Sequence, residues 1–299
     1  MWQIKPLAAP DWPTLAPFVH ATNRRADGRC RCLHAEQGDS IESHERELRS
    51  LGAAQACFVA AREAGELVGM AGAVIDAGLL RAWVRGPLTA QDDAMLRAAL
   101  LDALLRAMPQ RQRLDAFPSV DEASLRTSLR AAGFRDRFQF HVMSRAADAV
   151  PPPAWPAAVH DANEDEAARA AQLHTRLFPN TYLDAAALVS TRDAAHRLLV
   201  VAGLAGEPAG YLYVRDSPLD DEAYVDFLGV AEAERGRGVG RRLLDAALHW
   251  GLGELQRARV SLTVQQGRAP ALGLYESAGF RELAAGAQMV FERAVLTPP

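Results

Sequence analysis

Residues Val230–Gly251 read VAEAERGRGVGRRLLDAALHWG. Gly236, Gly238 and Gly240 alternate with Arg237 and Val239, and a helical pattern follows at once. Val239, Leu243, Leu244, Ala247 and Leu248 fall on one stripe of 3.6 period. Ahead of them, Ala223–Val230 has the apolar content of a buried strand. A strand, a glycine turn and a helix start therefore meet at one point. A helix start leaves backbone N–H groups unpaired and carries the positive end of the macrodipole. Glycines let a phosphate reach that backbone with no Cβ in the way. Arg235, Arg237, Arg241 and Arg242 add charge suited to a pyrophosphate or a ribose phosphate. Two phosphate loops are excluded. This stretch has no lysine for a P-loop, and Gly236-x-Gly238-x-Gly240 lacks the G-x-G-x-x-G spacing.

The chain outward from this stretch repeats itself. Residues 146–156, AADAVPPPAWP, hold four prolines and read as an extended connector near the midpoint. On either side, Ala64-Gly65-Glu66 answers Ala205-Gly206-Glu207, Leu100-Leu101-Asp102-Ala103 answers Leu243-Leu244-Asp245-Ala246, and Ala132-Gly133-Phe134-Arg135 answers Ala278-Gly279-Phe280-Arg281. The matches keep their order at offsets of 141 to 146 residues, which marks an internal duplication. Each half reads as an opening strand (Gln3–Leu7; Ala158–His160), one or two helices, and a hairpin (Ala56–Arg62 with Leu67–Ile75; Leu198–Gly203 with Ala209–Val214). A third strand (Leu80–Val84; Ala223–Val230), a long helix, a further strand, a helix and a closing strand complete each half. The fold class expected is α+β, two tandem domains, each a mixed, largely antiparallel sheet flanked by helices. The expected boundaries are 1–145, a linker at 146–156, and 157–299.

Composition sets limits on function. The 299 residues suffice for two cores, with 49% hydrophobic and 23% charged residues as in a soluble globular protein. A net charge of −4 gives no case for nucleic acid or an anionic membrane. Cys30, Cys32 and Cys57 are few and odd in number, which fits a reducing cytosol better than a disulfide framework. MWQIKPLAAPDWPTL carries no signal-peptide pattern, and no run of about 18 apolar residues occurs, so a cytoplasmic protein without a membrane span is expected.

Arg235-x-x-Gly238-x-Gly240 after Leu228-Gly229-Val230 resembles the acetyl-CoA signature of the GCN5-related N-acetyltransferases, the GNAT superfamily. The stretch ALGLYESAGF at 271–280 is similar to that family's second motif. The resemblance covers 157–293 well and reaches 1–145 through the repeat. It departs at Glu232, where many relatives carry proline, and at Arg268, where many carry an asparagine facing the cofactor. The implied chemistry is transfer of an acetyl group from acetyl-CoA to a primary amine of a small molecule by direct attack. The implied cofactor contacts are Leu228, Gly229 and Val230 along pantetheine, with Arg235, Gly236, Arg237, Gly238, Val239, Gly240 and Arg241 at the diphosphate and Arg268 on the following helix. Tyr275 matches the tyrosine that protonates the departing thiolate. In the first half the positions of Arg235, Gly238 and Gly240 fall on Asp92, Met95 and Arg97, and that of Tyr275 on Leu129, so that lobe is expected to have lost the cofactor.

The base has two candidates. Glu222, eight residues before Val230, matches a family position, while Asp226 lies inside the apolar strand closer to the thioester. Burying Asp226 there would be costly without a partner or a purpose. Tyr224, six before Val230, cannot serve as an ordinary base and is assigned with Phe178 and Tyr182 to the acceptor site; the two aromatics of that loop either line a pocket or simply pack. Cys30-Arg-Cys32-Leu-His34 offers three candidate metal ligands with no fourth nearby, so it reads as a free-thiol loop and no metal is expected. A monomer or a homodimer is compatible with everything in the sequence. The alternative function is a non-catalytic acyl-CoA-binding sensor or interaction protein that keeps the cofactor site alone.

Overall fold

The computed structural model describes residues 1–23, 40–76, 80–108, 113–147, 150–179, 181–203, 206–218 and 220–292. It divides into two compact units, Met1–Phe140 with the chain from Ala285 onward, and His141–Ala284.

In the first unit, β1 (Gln3–Pro6) is followed by a 3-10 stretch, α1 (Ala16–Asn23) and α2 (Ile41–Ser50). Then come β2 (Ala56–Glu63), β3 (Glu66–Asp76), β4 (Arg81–Thr89), α3 (Ala94–Ala107), β5 (Arg113–Ala116), α4 (Ala123–Ala131) and β6 (Arg135–Ala146), the last crossing into the second unit. β1 to β4 pair antiparallel in chain order, and β4 runs parallel to β5 over Arg81–Trp83 alone. The β2–β3 turn holds Ala64 at φ 49 and Gly65 at φ 90, the doubly left-handed turn that matches strand twist. Phe58, Met70, Leu100, Leu101, Leu104 and Leu129 fill the core with at most 1% exposure.

In the second unit, β7 (Val159–Asp161), α5 (Glu164–Leu177), α6 (Ala185–Ser190), β8 (His196–Ala202), β9 (Pro208–Ser217) and β10 (Glu222–Val230) repeat that plan. They are followed by α7 (Val239–Leu248), a π-helical turn at His249–Glu254, β11 (Arg259–Gln265), α8 (Ala269–Ser277) and β12 (Arg281–Phe291). β7 to β10 pair antiparallel, and β10 runs parallel to β11. The expected α7 stripe is the buried one: Val239, Leu243, Leu244, Ala247 and Leu248 are at most 2% exposed. It lies on a sheet face made by Leu199, Leu212, Val214, Ala223 and Val225. Each buried leucine or valine here contributes about 1.5–3 kcal/mol, so this face holds the unit together far more than helix propensity does.

The unit boundaries differ from the sequence expectation at both seams. Met289, Val290 and Phe291 pair with Ala116, Asp115 and Leu114, so the end of β12 completes the first unit's sheet rather than the second's. Conversely, Met143 of β6 sits in the second core at 3% exposure. The proline stretch also belongs to the second unit: Arg145 donates to the Val150 and Pro151 carbonyls at 3.2 and 3.0 Å, and His249 Nδ1 to that of Pro153 at 2.9 Å. The connector is therefore anchored. Among the described residues no helix is long and apolar enough to cross a membrane.

Candidate active site

The second unit opens where two parallel strands part. β10 and β11 pair from Glu222↔Arg259 to Val225↔Leu262 and no further among the described residues. A bulge at Asp226 follows, and Phe227 to Val230 then pair with β9 alone. The β11-side backbone groups of Leu228, Gly229 and Val230 thus face an opening. Backbone groups left this way need a partner from water or a ligand.

Three elements converge on that opening. A Cβ placed on Gly240, in the first turn of α7, would lie 3.2 Å from Leu274 Cδ2 of α8 and 3.5 and 3.6 Å from Val230 and Leu228 of β10. Gly238 caps α7 at φ 76, and Gly236 has φ 75; both are in the left-handed region where glycine is least strained. A Cβ on either would meet nothing within 4 Å, so their glycine character answers to backbone conformation and to whatever lies outside the protein surface. No side chain caps α7, which leaves its first N–H groups exposed to a ligand. Arg237 pairs with Glu234 at 3.4 Å, Arg241 with Asp245 at 2.9 Å, and Arg242 donates to the Arg237 carbonyl at 3.5 Å. The side chains of Arg235 and Arg268 are exposed, and neither has an ion pair among the described residues. Arg268 is the residue ahead of α8 and follows Gly267 at φ 88.

Tyr275 sits one residue beyond Leu274 on α8. Gly279 at φ 90 ends the helix, the Phe280 N–H donates to the Tyr275 carbonyl at 3.0 Å, and the two rings stand 6.0 Å apart. Phe280 is fully buried and Tyr275 is 8% exposed. Burial pushes the Tyr275 phenol up to about 12, so it remains a proton donor at neutral pH. Its hydroxyl has no hydrogen bond to a described residue.

The sheet face opposite α7 carries the polar groups. Asp226, with a side chain 5% exposed, accepts from Arg215 Nε at 3.2 Å and from the Tyr182 hydroxyl at 2.5 Å. The Arg215 guanidinium lies 4.8 Å over the Tyr224 ring, and the Tyr224 hydroxyl meets Thr263 at 2.7 Å. Tyr182 is 49% exposed, yet its hydroxyl end is closed in by Asp226; burial first and the Asp226 charge second push that phenol well above its usual value. Beside it, Phe227 packs edge-on against His174 (4.7 Å) and Phe178 (5.2 Å) and tilted against Tyr182 (5.2 Å). His174 is 1% exposed; its Nε2 faces the Leu183 carbonyl at 2.8 Å and must carry the proton, so Nδ1 accepts from the Tyr211 hydroxyl at 2.6 Å. Burial holds this imidazole below the usual value, hence neutral.

The expected residues sort accordingly. Leu228, Val230 and Gly240 meet at the opening with Leu274, the neighbour of Tyr275, and Asp226, Tyr182 and Tyr224 form one polar corner. Phe178 is a packing residue of the His174–Phe227 cluster. Glu222 stands apart from that corner: its Oε2 accepts from Arg259 Nε at 2.8 Å and from Ser261 Oγ at 2.7 Å, at the paired end of β10. That ion pair ties β10 to β11 before they part. Arg215, His174, Tyr211 and Phe227 were not foreseen, although hairpin register alone sets Arg215 opposite Tyr224.

The first unit carries different side chains at the corresponding positions. Arg97, at the Gly240 position, is 6% exposed; its guanidinium meets Asp92 at 2.6 Å and Ser128 at 3.1 Å. Asp93 caps α3 by accepting from the Leu96 N–H at 2.9 Å. An acidic cap and an inward arginine stand where the second unit has bare N–H groups and glycine. Cys30, Cys32 and His34 lie outside the described residues, among which no group of three metal-ligating side chains is found.

Comparison with known proteins agrees with this geometry. Residues 162–280 match the sequence model of the Acetyltransferase (GNAT) family. A GCN5-related N-acetyltransferase from Sphaerobacter thermophilus superposes with a TM-score of 0.70 at 18% identity, over 97% of this chain and 95% of that one. A tandem GNAT protein from the clavulanic acid biosynthesis pathway, without AcCoA, gives 0.69 at 16% identity over 98% and 99%. A GNAT-family acetyltransferase from Colwellia psychrerythraea gives 0.56 at 12% identity over 97% and 100%. At these identities the likeness is one of fold. No curated protein matches the sequence. Residues 162–280 thus match the GNAT acetyltransferase-family model, and the chain as a whole has the fold of the tandem GNAT proteins.

Proposed function

We propose that the second unit transfers an acetyl group from acetyl-CoA to a primary amine of a small molecule, and that the first unit binds no cofactor. The observation that carries this reading is the parting of β10 from β11 at Val225, beside the uncapped start of α7. The opening has backbone polar groups to hold an extended pantetheine arm and ends at N–H groups suited to a diphosphate. Gly236 to Arg241 would take the diphosphate, with Arg235, Arg237 and Arg241 supplying charge. Arg268 would approach the cofactor from the start of α8.

In this reading the neutral amine attacks the thioester carbonyl carbon; the C–N bond forms, the C–S bond breaks, the sulfur leaves with the electron pair, and the nitrogen gives up its surplus proton to solvent water. Tyr275 donates to that sulfur. Asp226 receives the amine, directly or through water, at the corner made with Tyr182 and Tyr224. One experiment tests the reading: acetyl-CoA is offered with tyramine, glucosamine, lysine, spermidine and ethanolamine, and CoA release is followed with a thiol reagent. Release dependent on an amine and lost in Gly238→Asp is the expected result. Tight acetyl-CoA binding with no release from any amine would instead support an acyl-CoA sensor.

A further inference from the structure

The polar corner contains a residue that neither motif includes. Arg215, on β9, stands opposite Tyr224 and reaches across to Asp226, whose carboxylate is almost wholly enclosed. We propose that Arg215 is a positioning residue: by matching the charge of Asp226, it lets that carboxylate orient the acceptor amine without stabilising it as the ammonium ion. The proposal rests on the acyl-transfer reading above and assigns the part this pair plays in it.

The physical argument starts from what the attack requires. An unpaired carboxylate in an enclosed site would attract an ammonium strongly and hold its proton, and an ammonium has no lone pair for the carbonyl carbon. Pairing the carboxylate with a guanidinium removes the net charge while leaving oxygen lone pairs for N–H donors. Oδ1 already receives one such donor, the Tyr182 hydroxyl, which comes from the exposed loop between α5 and α6. A phenol O–H there occupies the place an amine N–H would take. The guanidinium is itself braced: it lies 4.8 Å over the Tyr224 ring, whose hydroxyl is fixed on Thr263 of β11. A lysine could supply the charge but not that stacking.

The described groups around Asp226 include several others that are neutral or already paired. From β9 it faces Arg215 and the neutral phenol of Tyr213, which is bonded to Thr191 and stacked on His196, itself paired with Asp193. From the α5–α6 loop it faces Tyr182, and along β10 Tyr224. Glu222 on the same strand is matched by Arg259. His174 of α5 lies behind Phe227 and is neutral.

The test uses the full chain and two readouts. Benzylammonium binding is measured by titration, and the pH profile of turnover is measured with the best acceptor of the five amines above. Replacing the guanidinium with a neutral side chain, Arg215→Gln, should tighten benzylammonium about tenfold and lower kcat at pH 7 about tenfold. The activity should return about one pH unit higher, because one unit of proton affinity is a tenfold change. Arg215→Lys retains the charge and should keep a profile near wild type; it also serves if the glutamine variant fails to fold. Weaker benzylammonium binding in both variants, or an unchanged profile in Arg215→Gln with active wild-type protein, would overturn the proposal. If the wild type releases no CoA, the acyl-transfer reading falls, and the binding arm still decides whether Arg215 opposes a cation at Asp226.

Discussion

Replacing Tyr275 with phenylalanine removes one oxygen from a ring that is 8% exposed and packed 6.0 Å from Phe280. The hydroxyl has no hydrogen bond to a described residue, so folding should shift by no more than about 1 kcal/mol, the usual net value of one hydrogen bond. The effect on turnover follows from the acidity. With the phenol pushed up to about 12, it is a weaker acid than a thiol near 8.5 by roughly 3.5 units, or about 5 kcal/mol. Complete proton transfer ahead of C–S cleavage is therefore unfavourable, and the hydroxyl works as a donor to sulfur while charge builds there. A hydrogen bond to a charged partner contributes about 1.5–3 kcal/mol, which predicts a loss of roughly 10- to 150-fold in kcat. The KM for acetyl-CoA should change little, because the interaction strengthens mainly in the transition state. The assay is single-turnover CoA release with a thermal melt of both proteins. Wild-type turnover in Tyr275→Phe, in a regime limited by chemistry, would refute the reasoning and return Tyr275 to the core.

The two strand carboxylates should separate cleanly. Asp226→Asn should bind acetyl-CoA normally and lower turnover about tenfold or more at every pH from 7 to 9, because the carboxylate orients the amine rather than taking its proton. Glu222→Gln should instead cost stability, about 1–3 kcal/mol by thermal melt, through its broken pair with Arg259, with turnover near wild type. Glu122, in the first unit, has both carboxyl oxygens buried with no hydrogen-bond partner, and burial pushes it up to about 7 from 4.5. A raised folded-state value gives stability that is complete below pH 4.5 and lost as pH rises through 7. Glu122→Gln should therefore melt like wild type at pH 4 and above it at pH 8, by at most about 3 kcal/mol; equal melting at both values would contradict this. Gly238→Ala places a Cβ at φ 76 where nothing crowds it, so backbone strain should cost about 1–2 kcal/mol in a melt.

What the sequence made legible was local. The glycine alternation, the α7 stripe and the Ala64-Gly65 turn each depend on neighbours within a few residues, and the repeat exposed the two-lobed plan. What it hid depends on partners far along the chain. Glu222 and Asp226 look alike on one strand; they part in role because Arg259 and Ser261 meet the first and Arg215 and Tyr182 the second. The bulge at Asp226 is one extra residue with no compositional mark. The crossing of β12 to β5 leaves the closing strand's sequence unchanged, since either edge accepts the same apolar alternation. The first unit's lack of the glycines was legible in the sequence, but not the turn of Arg97 inward onto Asp92 and Ser128.

The central claim is that one unit holds the cofactor and the other has closed its own site. Titration calorimetry of acetyl-CoA into the full chain tests it most directly. The account predicts one site per chain, lost in Gly238→Asp, where a carboxylate is set against the diphosphate position, and retained when Arg97 is changed to alanine. Two independent sites of similar affinity, or one site that survives Gly238→Asp, would contradict it.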